Sequence, residues 1–65
     1  MVTVNGKQEK NLAGKSVAAF LSDRKAPIDN LVVELNGKIV HRASFDQVFL
    51  RENDKVEVIS FVGGG

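Results

Sequence analysis

The 65-residue chain has no cysteine, which excludes disulfide staples and cysteine zinc sites and leaves stability to a well-patterned core. It also lacks any block of one charge sign. Nine basic and eight acidic side chains are interspersed and leave a formal charge of +1, so neither nucleic acid nor an anionic membrane is an expected partner. No apolar run approaches the roughly 20 residues that span a bilayer, and the N-terminus has no signal-peptide pattern. A single cytoplasmic, soluble domain over residues 1–65 is the expectation. A chain this short buries only about 60% of the surface its unfolded form exposes, which leaves little room for a large enclosed active site.

What is present is punctuated by turn signals. Val2-Thr3-Val4 reads as a short strand, and Asn5-Gly6 readily supplies the two positive φ angles of a tight hairpin. The return arm, residues 7–12, is polar except at its end and suits an edge strand. Ser16 can cap a helix whose apolar face is Val17, Phe20 and Leu21, at i, i+3 and i+4. That helix runs over residues 16–25 and stops before Pro27. A second hairpin joins Leu31-Val32-Val33-Glu34-Leu35 to Lys38-Ile39-Val40-His41 through Asn36-Gly37. Residues 43–48 suggest a helical turn that tucks Phe45 under a sheet. Asn53-Asp54 turns the chain into the last and most apolar strand, residues 55–62, expected in the sheet centre.

An odd number of strands and one helix close a core only if the helix covers one face of a single mixed sheet. Right-handed crossover through the helix then sets the last strand parallel to the first. The predicted fold is α+β, a ubiquitin-like β-grasp of about five strands on one helix.

Catalytic and metal motifs fail on spacing. Gly14-Lys15-Ser16 looks like the end of a phosphate loop, but Glu9 stands where the first glycine is required. His41 has no cysteine or neighbouring carboxylate at ligand spacing. Asp46, Glu52, Asp54 and Glu57 lack the alternation and glycine of a cation loop and read as a solvated rim. Serines 16, 22, 44 and 60 have no histidine nearby in sequence. No enzyme active site is legible, no bound cofactor is expected, and no metal site is expected.

The remaining feature is Gly63-Gly64-Gly65, directly after the last strand. Without Cβ atoms such a tail threads a narrow channel, and three extended residues reach about 10 Å. A terminal carboxylate is ionised at neutral pH, so that of Gly65 can attack the α-phosphate of ATP held by a partner. The acyl adenylate makes the carboxyl carbon electrophilic, and a persulfide or thiolate displaces the nucleotide to leave a thiocarboxylate or thioester.

On these residues the chain resembles the thiamine-pathway sulfur carriers, the ThiS proteins. The stretch Asn36-Gly37-Lys38-Ile39-Val40-His41-Arg42 with Phe45 is similar to the family's hairpin and arginine-plus-aromatic step. Asn53-Asp54-Lys55-Val56-Glu57-Val58-Ile59-Ser60-Phe61-Val62-Gly63-Gly64-Gly65 is similar to its terminal turn, strand and tail. The resemblance implies a carrier rather than an enzyme, with Gly65 as the acyl group, Gly64 as its threading partner and Gly63 as a spacer. It implies activation by a ubiquitin-activating-enzyme-like adenylyltransferase (ThiF-like) that uses ATP, sulfur from a cysteine desulfurase, and delivery to a thiazole synthase (ThiG-like) for thiamine biosynthesis. The alternatives are the small subunit of molybdopterin synthase, a ubiquitin-like covalent modifier, and a non-covalent β-grasp interaction domain. If Val56 and Val58 face the helix, the period of two sends Ile59 and Phe61 outward with Val32, forming an apolar docking patch beside the tail.

Overall fold

The computed structural model describes residues 1–61. Strand β1 (Val2–Val4) pairs antiparallel with β2 (Lys7–Glu9), in the register Val2 with Glu9 and Val4 with Lys7. Between them Asn5 and Gly6 have φ of 49° and 85°, the paired positive values that match the twist of a two-residue hairpin. The polar return arm lies at the sheet edge, but its strand ends at Glu9 instead of running on over residues 10–12. Asn11 takes a positive φ of 66°, and Leu12 enters the core beyond it.

Helix α1 (Val17–Asp23) is one residue shorter at its start and two at its end than its apolar spacing and Pro27 imply, because Ser16 is its cap. The Ser16 Oγ accepts the Ala19 N–H at 3.0 Å. The N–H groups of Val17 and Ala18 are bound by the carbonyls of Val48 and Phe45, each at 2.8 Å. Every early N–H of the helix therefore has an acceptor. At the other end Lys25 takes a φ of 54°. Its N–H reaches the Ser22 carbonyl at 3.0 Å, and the Ala26 N–H reaches that of Leu21 at 3.1 Å. This is the paired closure of a left-handed helix terminus, with lysine where glycine is commonest.

After a 3₁₀ turn at Ile28–Asn30, β3 (Leu31–Leu35) pairs antiparallel with β4 (Lys38–Val40) through a second turn, with φ of 52° at Asn36 and 85° at Gly37. A 3₁₀ turn at Arg42–Ser44 then buries Phe45, a little earlier than residues 43–48 suggest. Strand β5 (Lys55–Ser60) lies between β1 and β3, parallel to the first and antiparallel to the second. The sheet order is β2-β1-β5-β3-β4, the predicted mixed five-stranded arrangement with one α-helix.

The helix buries Val17, Phe20 and Leu21 completely, against Val2, Val4, Val33 and Val56 from the sheet. Leu31, Leu35 and Val58 pack around this cluster, half-buried. Leu50 is also buried, and no periodicity marks it, since it follows exposed Phe49 in an irregular segment. At the helix C-terminus Arg24 donates to both oxygens of Glu9 on β2, one contact being 3.0 Å, and its guanidinium lies 4.6 Å from the centre of the Phe20 ring. The helix is thereby tied to the edge strand.

Truncating Phe20 to alanine is expected to cost about 3–5 kcal/mol, read from chemical denaturation, because it empties the centre of the core. The Arg24 hydrogen bonds hold the Glu9 carboxyl below its usual pKa, against a smaller opposing effect of burial. A depressed carboxylate contributes stability above its unfolded value and loses it as pH falls through the folded one. Melting temperature should therefore drop on acidification below about pH 4.3, and Glu9→Gln should flatten that part of the profile.

Candidate functional site

The two residues that carry the expected chemistry, Gly64 and Gly65, lie outside the described residues, as do Val62 and Gly63. The described site is the root from which they follow. Beyond Ser60 the ladder to β3 continues for one more residue, the Phe61 N–H donating to the Asn30 carbonyl at 3.0 Å. The chain is thus held by main-chain hydrogen bonds up to Phe61.

The antiparallel register decides which side chains surround this root. Val33 faces Val58 and Leu35 faces Val56 on the helix side, so the intervening pairs, Val32 with Ile59 and Glu34 with Glu57, occupy the outer face. Ile59 is 44% exposed and Phe61 48%, and Val32 is half-buried beside them. The three residues expected to form an apolar patch are brought together at the base of the tail. Ile39, 60% exposed, is paired with Glu34 and adds an apolar position farther along the same face. Sequence reasoning missed it, although its alternation with half-buried Val40 signals an outward side chain.

Between these apolar positions stand Glu34 and Glu57, directly opposed, and neither forms an ion pair among the described residues. Like charges in opposed positions on a sheet repel. The ion pair nearest the root is Arg42 with Asp29, which joins the turn after β4 to the turn before β3. Arg42, a resemblance residue without an assigned role, thus tethers the segment that ends in Asn30.

A second device acts on the other flank of β5. The Asn5 side chain accepts the Val58 N–H at 2.9 Å and approaches the Val58 carbonyl at 3.4 Å through its amide nitrogen. The Asn36 side chain does the same at the start of the strand, accepting the Lys55 N–H at 2.9 Å and donating to Asp54 at 2.9 Å. Both hairpin asparagines therefore turn the chain and pin the central strand. An open depression of about 540 Å³, lined by Thr3, Asn5, Gly6, Lys55, Val56 and Glu57, lies along the β1–β5 seam.

The other polar residues have local structural roles or exposed positions. Ser16 caps α1, Asp54 accepts the Arg51 N–H at 2.8 Å, and His41 is exposed immediately after β4. Among the described residues no three metal-binding side chains converge. No helix among them is long and apolar enough to cross a membrane.

A helix laid across one face of this five-stranded sheet, with an apolar row at the root of a glycine tail, defines a ubiquitin-like β-grasp protein. The sequence profile of the ThiS family matches residues 2–65, and the chain belongs to that family. The crystal structure of the thiamine biosynthesis protein ThiS from Geobacter metallireducens superposes with a TM-score of 0.81 at 37% identity, over 98% of this chain and 97% of that one. Its solution structure gives 0.77, over 98% and 86%. Thiazole synthases of Paramagnetospirillum magneticum and Magnetococcus marinus are 33% and 31% identical over 64 residues, 98% of this chain. The chain spans about one fifth of their length, since the match covers 20% of each.

The opposed glutamates generate a stability prediction. Glu34→Gln should raise stability by about 0.2–1 kcal/mol in urea titrations at low salt by removing the cross-strand repulsion, and the gain should shrink as salt screens it.

Proposed function

We propose that this chain is a sulfur carrier of thiamine biosynthesis, a protein co-substrate rather than an enzyme, working through the carboxylate of Gly65. The observation that carries the reading is the match to the ThiS family along residues 2–65, which includes the glycine tail. The fold supports it mechanically. A strand anchored through Phe61 and an exposed row of Ile59, Phe61 and Val32 offer a partner a rigid handle beside the segment it must thread. Docking on a rigid surface beside the segment to be threaded lowers the ordering cost of threading.

The chemistry balances in three steps. A carboxylate oxygen of Gly65 attacks the α-phosphorus of ATP on an adenylyltransferase related to ubiquitin-activating enzymes, forming an acyl–phosphate bond and expelling pyrophosphate. The terminal sulfur of a persulfide, loaded by a cysteine desulfurase, attacks the acyl carbon and expels AMP, giving an acyl disulfide. A thiol then attacks the disulfide at the sulfur away from the acyl group, and the thiocarboxylate leaves with the S–S bonding pair. Gly64 and Gly65 suit this path because no side chain crowds the acyl carbon, and Gly63 serves as spacer. The acceptor is a thiazole synthase, a reading supported by the thiazole synthases that contain a stretch similar to this chain. The chain itself needs no bound cofactor, and the setting is the cytoplasm, where the nucleotide and thiols of this chemistry are available.

Deleting Gly65, or adding one bulky residue after it, should abolish ATP–pyrophosphate exchange with the adenylyltransferase and leave the melting temperature unchanged. Either change shifts the acyl carbon by about 3.5 Å. Exchange at the normal rate would sink the carboxylate mechanism. Ile59→Asp and Phe61→Asp should weaken binding to the same enzyme with circular dichroism unaltered. Intact mass after incubation with ATP and sulfur donor separates the alternatives. A carrier exchanges one oxygen for sulfur, a ubiquitin-like modifier appears on other proteins, and an interaction domain stays unmodified. Thiazole formation on addition of the thiazole synthase separates it from the small subunit of molybdopterin synthase.

A further inference from the structure

Strand β5 is central in the sheet, yet its two flanks are unequally covered. Along β3 it is paired from Val56 to Ser60, and the Lys55 carbonyl accepts the Asn36 N–H at 2.8 Å. Along β1 it is paired only at Lys55 and Val56, because β1 turns away at Asn5-Gly6. The hydrogen-bond phase shows which groups this exposes. Phe61 donates to Asn30 and Lys55 accepts from Asn36 on the β3 side, so the odd-numbered residues bond β3 and the even-numbered ones face β1. Val56 meets the backbone of β1 and Val58 meets the Asn5 side chain. Ser60 meets nothing: neither its N–H nor its carbonyl has a partner among the described residues, and the residue is exposed.

The Asn5 amide thus continues the β1 position for one residue and then stops. Past it the β5 edge on the line of β1 is unpaired among the described residues and presents the Val58 carbonyl, which has only a long 3.4 Å contact, and the N–H and carbonyl of Ser60. Unpaired strand edges of this kind take up extended segments from other chains. The outer face beside this edge carries Ile59 and Phe61, both about half exposed, available to side chains of an added strand.

We infer that the Val58–Ser60 edge is a strand-addition site at the root of the tail, occupied by an extended segment of the thiazole synthase during sulfur delivery. This rests on the carrier reading above, and the choice of partner rests on the thiazole synthases in which a stretch similar to this chain shares a polypeptide with its acceptor. Joining the two in one chain raises the effective concentration of a contact that separate chains form by diffusion. An added strand extends the sheet alongside the departing chain, which orients the tail by main-chain hydrogen bonds without reading side chains.

The test uses Ser60→Pro against Ser60→Ala in the full chain, with purified thiazole synthase from the same organism. Proline removes only the N–H on the unpaired edge, at a position where the β3 ladder does not use it, and Ile59 before it is already extended. Alanine keeps the N–H. The expected result is binding within about twofold of wild type for Ser60→Ala and at least about fivefold weaker for Ser60→Pro, the loss of roughly one hydrogen bond. In the unaltered chain the Ser60 amide should exchange with deuterium rapidly when free and at least about tenfold more slowly with thiazole synthase bound, a readout that stands even if the proline variant misfolds. Equal binding of the two variants, or unchanged Ser60 exchange, overturns the inference. Protection that rises with the domain's own concentration, or appears only with the adenylyltransferase, overturns it in favour of those occupants. Normal adenylation of Gly65 alongside any of these failures leaves the carrier reading intact, whereas absent adenylation removes that reading itself.

Discussion

The structure depends on main-chain hydrogen bonding of β5 from both sides. It is the last strand in sequence and the middle one in space, so the sheet is completed only when it inserts between β1 and β3. Buried backbone groups left without partners would each cost about 1–3 kcal/mol, and the chain avoids this economically. β3 covers one flank throughout, three-residue β1 covers the start of the other, and the Asn5 amide extends that cover to Val58. Asn36 performs the matching task where the strand begins.

This arrangement separates the buried face of the sheet from the exposed one. Toward the helix, β5 contributes Val56 and Val58 to a core that, among the described residues, contains no buried polar or charged side chain. Toward solvent, the same strand presents Lys55, Glu57 and Ile59, and its continuation presents Phe61. Outer-face residues can therefore change with little effect on the packing of Phe20, Leu21 and Val33. The opposed glutamates at positions 34 and 57 also lie on this face, where like charges repel.

In the proposed carrier role the tail and the root divide the work. The glycines are proposed to supply an unhindered acyl group, and the described domain supplies a fixed point of departure, since Phe61 is still hydrogen-bonded to Asn30 and the adjacent Asp29 is ion-paired with Arg42.

Local chemistry in the sequence determined the elements: two Asn-Gly turns, the Ser16 cap, the 3.6-residue period of Val17, Phe20 and Leu21, and the alternation of β3 and β5 each encode their conformation within a few residues. The outward patch of Ile59, Phe61 and Val32 was legible for the same reason, because a period of two assigns a strand's faces once one face is known. Only the tertiary structure decided what depends on contacts between distant segments. Leu50 and Leu12 enter the core from irregular chain with no period to announce them. The carbonyls of Phe45 and Val48 cap a helix more than twenty residues earlier in the sequence. Strand β2 ends at Glu9, short of residues 10–12, because pairing with three-residue β1, and not side-chain character, sets how far it extends. Asn5 reads in sequence as a turn residue and nothing more, and its grip on Val58 exists only because the parallel register brings the first hairpin beside the last strand.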